Sequence, residues 1–170
     1  MKKLFFLILF SAIVFFVKAQ EITRNSVYAE IGGAGLLYSV NYERLLSSNK
    51  NNNFPIRIGL TLLPPKLSGN LMLGIPLGVS FIKNINREMY FETRLLFSTF
   101  IEQKIYNGHG LGSEPTVETH VMYMPSIAIG FRHQPESKGF YYHYHFQVSY
   151  NTEIFWGIMP WLGFGLGYAY

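Results

Sequence analysis

Three carboxylates and three guanidiniums stand out in a chain that carries few charges: Glu30, Glu43 and Glu92, with Arg57, Arg94 and Arg132. Each lies in a run where apolar residues alternate with small or polar ones, and each falls on the side opposite the apolar residues. Six such charges on one face of a sheet suit either a structural network or a gated path for protons or ions. The network is the expected role, because Arg–carboxylate pairs bond in a bidentate way. An unpaired charge in such a place would cost about 3–5 kcal/mol. His143 and His145 stand two apart, so on a strand both imidazoles share one face and can chelate a metal. With no Cys and no Asp in the chain, only Glu remains as a third ligand. No metal and no cofactor are therefore expected, and His143, His145 and Gln147 are read as polar interior packing.

Hydrolytic chemistry has its own candidates. His109 or His120 would act with Ser98, Ser113 or Ser126 and with Glu114 or Glu118 in place of the missing Asp. No Gly-x-Ser-x-Gly elbow accompanies them. Gly108-His-Gly-Leu-Gly112 lacks the Lys of a phosphate-binding loop and reads as loop flexibility. A non-enzymatic role is expected ahead of a hydrolytic one.

The elements that must hold these residues are strands. Lys2 and Lys3, the apolar run Leu4 to Val17 and the Val17-Lys18-Ala19 ending read as a secretory signal peptide over residues 1–19. That run is too short for the ~20 residues of a membrane-spanning helix. Cleavage near Ala19 leaves one domain, 20–170. Removing Lys2, Lys3 and Lys18 from the 14 basic residues leaves 11 against 10 acidic ones, so the charge is no nucleic-acid footprint. Without Cys, disulfides and a lipid-modified N-terminal cysteine are excluded.

Eight alternating segments follow the leader. They run near Ser26–Gly33, Leu36–Leu45, Phe54–Leu63, Leu71–Ile82, Glu88–Glu102, Val121–Arg132, Phe140–Asn151 and from Leu162 to the end. Gly32 to Gly35 reads as a tight turn, Ser47 to Asn53 as a polar link, and Gln103 to His120 as the longest irregular loop. Pro76 predicts an interrupted ladder in the fourth segment. Segments of this length match tilted strands crossing a bilayer, and an even count closes without a free edge. The expected fold is all-β, an eight-stranded antiparallel up-and-down transmembrane barrel. A soluble, ligand-holding barrel would be polar outside and apolar inside. The third, seventh and eighth segments show the reverse.

The last segment sets Leu162, Phe164, Leu166, Tyr168 and Tyr170 against Gly163, Gly165, Gly167 and Ala169. One face is greasy and the other nearly bare, which suits the inner wall of a narrow barrel. Gly165, Tyr168 and Tyr170 resemble the C-terminal insertion signal of bacterial outer-membrane barrels, with Gly163 where a polar residue is usual. Together with the Ser26-to-Arg44 opening and the Pro160-Trp-Leu-Gly close, the chain resembles small outer-membrane barrel proteins of Bacteroidota and barrels of the OmpA/OmpX type. The resemblance implies a fold and the outer membrane of a Gram-negative bacterium, and transfers no catalytic residue.

An eight-stranded barrel is only wide enough for side chains to fill it. The expectation is a filled polar interior rather than an open pore, with a structural, surface-interaction or adhesive role presented by the 103–120 loop. The alternatives are an outer-membrane barrel enzyme acting on lipid A or phospholipid acyl chains, and a narrow gated channel. Expected partners are outer-membrane lipid and the barrel-insertion machinery, with no nucleic acid, and a monomer is expected.

Overall fold

The computed structural model describes residues 25–48, 52–68, 70–86, 88–106, 116–135, 138–152 and 157–170. The signal segment lies outside them. Eight strands form in chain order: β1 (Asn25–Ile31), β2 (Tyr38–Ser48), β3 (Asn52–Leu63), β4 (Leu71–Asn84), β5 (Met89–Tyr106), β6 (Thr116–His133), β7 (Gly139–Tyr150) and β8 (Ile158–Ala169). Each pairs antiparallel with the next, and β1 pairs with β8 from Ser26↔Ala169 to Ile31↔Phe164, so the sheet is a closed barrel. The seam is finished by Tyr170, whose backbone N–H donates to the Asn25 carbonyl at 2.8 Å.

Alternation sorts the side chains between the two faces of the wall. Along β7, Tyr141, His143, His145, Gln147 and Ser149 are buried, while Phe140, Tyr142, Tyr144, Phe146 and Tyr150 are exposed. The same holds around the wall, where Ile56, Ile58, Leu60, Leu95, Phe97, Ile127, Ile129, Phe164 and Leu166 all face outward. The exterior is the apolar side, and the interior holds the polar side chains together with a few apolar ones, among them Leu96, Phe100 and Met124.

Three connections differ from the sequence expectation. The strands β2 and β3 run through most of the Ser47–Asn53 stretch and leave only 49–51 between them. Asn and Ser there end strands as well as turn the chain, so the links on the terminus side of the barrel are all short. The expected loop Gln103–His120 is largely strand: β5 continues to Tyr106 and β6 starts at Thr116, with pairing up to Tyr106↔Thr116. The β-branched residues Val117, Thr119 and Val121 outweigh the flanking Gly and Pro residues there. Residues 107–115, with His109, Ser113 and Glu114, lie outside the described residues.

The third difference is the turn after β1. Gly33–Gly35 forms one 3-10 turn that folds into the barrel and is buried, with Ala34 wholly enclosed. Ala34 packs with Leu96 and Ala128 from the opposite wall, and Ser98 Oγ donates to its carbonyl at 2.8 Å. The turn fits because it carries almost no side chain. Gly32 enters it at φ 72°, a conformation open to glycine, with the Leu162 carbonyl directly behind its Cα.

Two further prolines explain local irregularities. The β3–β4 register passes from Ile58↔Leu77 to Thr61↔Gly74 and skips Pro76, which has no N–H to give. In β8, Ile158 to Gly163 extend past the end of β1. The Leu162 carbonyl faces that uncovered side, so by the period of two Pro160 faces it as well, where its missing N–H breaks no ladder bond.

Candidate functional site

The barrel interior is the place where this chain concentrates its polar chemistry. All six predicted charges lie within it, each at most 4% exposed. Period two places them there: Glu30 on β1, Glu43 on β2, Arg57 on β3, Glu92 and Arg94 on β5, Arg132 on β6.

Two centres form. Arg132 grips both Glu43 oxygens, with Nη1 at 2.5 Å from Oε1 and Nη2 at 2.8 Å from Oε2. It also reaches Glu92 through Nη2 at 3.1 Å and Nε at 3.2 Å, and its guanidinium lies over the Tyr141 ring at 5.1 Å. The second centre is Glu30. Its Oε2 accepts from Arg57 Nη1 at 3.2 Å and Arg94 Nη1 at 3.1 Å, and His143 Nε2 lies at 3.2 Å. Arg94 Nη2 also donates to Glu92 at 2.8 Å, which joins the centres into one charge-balanced cluster of three acids and three bases. Tyr28 hydroxyl accepts from Arg57 Nη1 at 3.0 Å and its ring meets His143 edge-on.

The bare face of β8 receives the imidazoles. His143 is paired with Gly165 and His145 with Gly163 across the β7–β8 ladder. A Cβ at Gly165 would come within 2.2 Å of the His143 ring, and one at Gly163 within 2.3 Å of the His145 ring. Gly167 similarly lies against Tyr28 and Tyr141. The small residues of the C-terminal strand are thus complements to the large polar ones of β7.

Glu30, His143 and His145 bring one ligand atom each to within 4.8 Å of the others, a grouping that could hold a cation. Its surroundings do not fit one. Arg94 Nη1 stands 3.3 Å from His145 Nδ1 and 3.1 Å from Glu30, so a guanidinium already bridges the two groups. A divalent ion would add two charges to a balanced, buried cluster and repel two arginines. Gln147 donates to Ser149 at 2.8 Å and Ser149 accepts from Ser126 at 2.9 Å, a polar ladder continuing above the charges.

The hydrolytic candidates among the described residues do not assemble. Ser98 is bonded to the Ala34 carbonyl and sits opposite Met124, four residues from His120 along β6, or roughly 13 Å at ~3.3 Å per residue. Ser126 is further still along the same strand. His120 instead lies 3.5 Å from Glu118, on the hairpin beyond the mouth. Sequence reasoning misses the inward turn; the run Gly32-Gly-Ala-Gly35 is the available signal, and by itself it speaks only of backbone freedom.

No protein-family model matches the chain, and a comparison with curated proteins gives no match. Among solved structures, the chain is similar to the N-terminal β-barrel domain of Pseudomonas aeruginosa OprF. The likeness has a TM-score of 0.55 at 9% identity and covers 86% of this chain and 96% of that one. At that identity it bears on the fold, an eight-stranded antiparallel barrel, rather than on an activity.

Proposed function

We propose that this chain is an outer-membrane β-barrel of a Gram-negative bacterium, of the small type its opening and closing segments resemble. Its interior is closed to solutes, and its role is structural or adhesive, with the long β5–β6 hairpin as the presenting element. One observation carries the reading: every strand turns large apolar residues outward, while the buried arginines and glutamates all lie inside, beside a few buried apolar residues such as Leu96, Phe100 and Met124. Such a wall exposes a belt of leucine, isoleucine and aromatic side chains that water would not tolerate and a bilayer would. All strands but the seven-residue β1 have 11–18 residues, long enough to cross it at the usual tilt.

The test is purification in detergent, followed by gel mobility with and without boiling and by planar-bilayer recording. A folded membrane barrel should migrate differently after boiling. Mobility that never changes would count against the membrane, and a large, stable conductance would count against the closed interior.

Tyr144 stands outward near the middle of β7, 47% exposed. Tyr144→Arg should cost about 2–4 kcal/mol in lipid, whereas Tyr144→Leu should fold as the parent does. Equal folding yields of the two variants in bilayers would refute a lipid-facing Tyr144.

Gly165, Tyr168 and Tyr170 are proposed as the signal read by the barrel-insertion machinery. Tyr170→Ala keeps the two backbone bonds to Asn25. Folding should therefore change little, while the protein should accumulate in the periplasm. If detergent refolding and membrane yield fall together, Tyr170 is part of the wall and not a signal.

A further inference from the structure

Among the described residues, β7 accompanies β6 only from Ser126 to His133. Beyond that point β6 continues for ten residues, about 30 Å along the strand, with β5 on one side and no described strand on the other. The other flank of the hairpin is covered by β4 nearly to its end, through Leu71↔Gln103. Among the described residues, the open edge is therefore that of β6.

The direction of its backbone groups is set by Tyr123. Both its N–H and its carbonyl point to Thr152, in the β7–β8 connection. Thr152 N–H donates to the Tyr123 carbonyl at 3.4 Å, its Oγ1 does so at 3.1 Å, and the Tyr123 N–H faces the same Oγ1 at 3.4 Å. With a period of two, Val117, Thr119 and Val121 turn their N–H and carbonyl groups to the same open side. Edges of this kind are usually blunted by Pro or Lys, and neither occurs from Thr116 to Met122.

The sequence of the edge is symmetric in chemistry about Thr119: Val117-Glu118-Thr119-His120-Val121. Laid antiparallel against a copy of itself and centred on Thr119, it puts Thr119 opposite Thr119, each Val117 opposite Val121, and each Glu118 opposite His120. The residues that meet as hydrogen-bonded pairs are 117, 119 and 121, the same ones that direct their backbone groups outward from the edge. About six backbone bonds would form. Thr–Thr and valine pairs are favourable across strands, and each Glu118 carboxylate can accept a hydrogen bond from the His120 imidazole opposite it.

We infer that the open edge of β6 pairs with the same edge of a second copy of this chain, held in a facing membrane. The facing arrangement follows from geometry. The dyad of an antiparallel pair is perpendicular to the sheet, and the barrel axis lies in the plane of the wall, so the dyad reverses the axis. Two copies in one membrane cannot be related in this way, whereas two barrels projecting toward each other from opposite membranes can. Each remains a single barrel in its own bilayer, and the contact gives the adhesive role proposed above, on which this inference rests, a self-recognising partner.

The chain in phosphatidylcholine nanodiscs, one barrel per disc with both faces accessible, tests it by sedimentation and mass photometry. The parent discs should form face-to-face dimers in a concentration-dependent way. Thr119→Pro removes an N–H that β5 does not use and should abolish them. His120→Glu creates two like-charge pairs, and Glu118→Lys replaces each carboxylate facing His120 with an ammonium that cannot accept from the imidazole; each should weaken dimers roughly tenfold or more. Mixing those two variants sets the introduced lysine of one against the introduced glutamate of the other. The same mixture keeps His120 of the first variant opposite Glu118 of the second, and should restore association. Parent discs that stay single at high micromolar concentration overturn the inference. So do dimers indifferent to Thr119→Pro, and a mixture no better than its parts. Variants are compared after each shows heat-modifiable mobility. A chain that never enters discs refutes the membrane reading instead, and an inserted barrel that stays single refutes only the pairing.

Discussion

Arg132→Met is expected to lower the stability of the folded barrel by about 3–5 kcal/mol. Methionine fills much of the space of the arginine stem, so the loss is one of charge and hydrogen bonds rather than volume. Glu43 loses both its short bonds to Nη1 and Nη2. Glu92 keeps Arg94 but loses two of its donors. Two carboxylates are then left in an interior with one fewer cation, and the cost is that of holding an uncompensated charge away from water. Urea unfolding in detergent would show a lower midpoint at unchanged slope. Arg132→Met with Glu43→Gln should recover part of the loss, because the amide has no charge to leave unpaired. A single variant within about 0.5 kcal/mol of the parent would mean that water reaches these carboxylates and the interior is not filled.

Gly32→Ala is expected to be nearly as damaging through a different mechanism. At φ 72° and ψ −157° the backbone is in a region used by glycine, and a side chain there costs about 1–3 kcal/mol in strain. The new Cβ would also lie 2.1 Å from the Leu162 carbonyl oxygen. That neighbour is backbone of β8 at the seam, so it cannot swing aside as a side chain would. Either the inward turn withdraws or the β1–β8 ladder shifts, and both disturb barrel closure. A reduced yield of the heat-modifiable form is the measurement. Gly139→Ala, where a Cβ meets only the Pro135 ring at 3.0 Å, is the control and should be mild. If Gly32→Ala folds as well as that control, the turn does not need the conformation it adopts.

The Glu118–His120 region shows why local reading has limits. Gly and Pro between Tyr106 and Thr116 suggest a long loop, and the strongly apolar alternation of the wall stops short of it on both strands. In the membrane setting proposed above, a strand that projects past the bilayer needs no apolar face, so its hydrophobic signal fades while its pairing continues. The polar ends of β2 and β3 mislead for the same reason: Asn and Ser are common in turns, but the ladder from Ser48↔Asn53 needs only backbone groups.

The class of fold and the sorting of side chains were determined by the sequence itself. Period-two alternation is a local property of an extended chain, so Glu30, Glu43, Arg57, Glu92, Arg94 and Arg132 could be assigned to one face without knowing any neighbour. The barrel's count of eight strands followed from the same pattern. What only the tertiary structure decided was which of these charges meet. Arg132 finds Glu43 across 89 positions of chain, and Glu30 gathers Arg57, Arg94 and His143 from three other strands. Those meetings depend on the stagger between strands and on closure at β1–β8, which no single segment encodes. The inward course of Gly33–Gly35 belongs with them. A glycine-rich turn is free to bend either way, and it bends in because the opposite wall offers Ala128, Leu96 and the Ser98 hydroxyl at the depth where β1 ends.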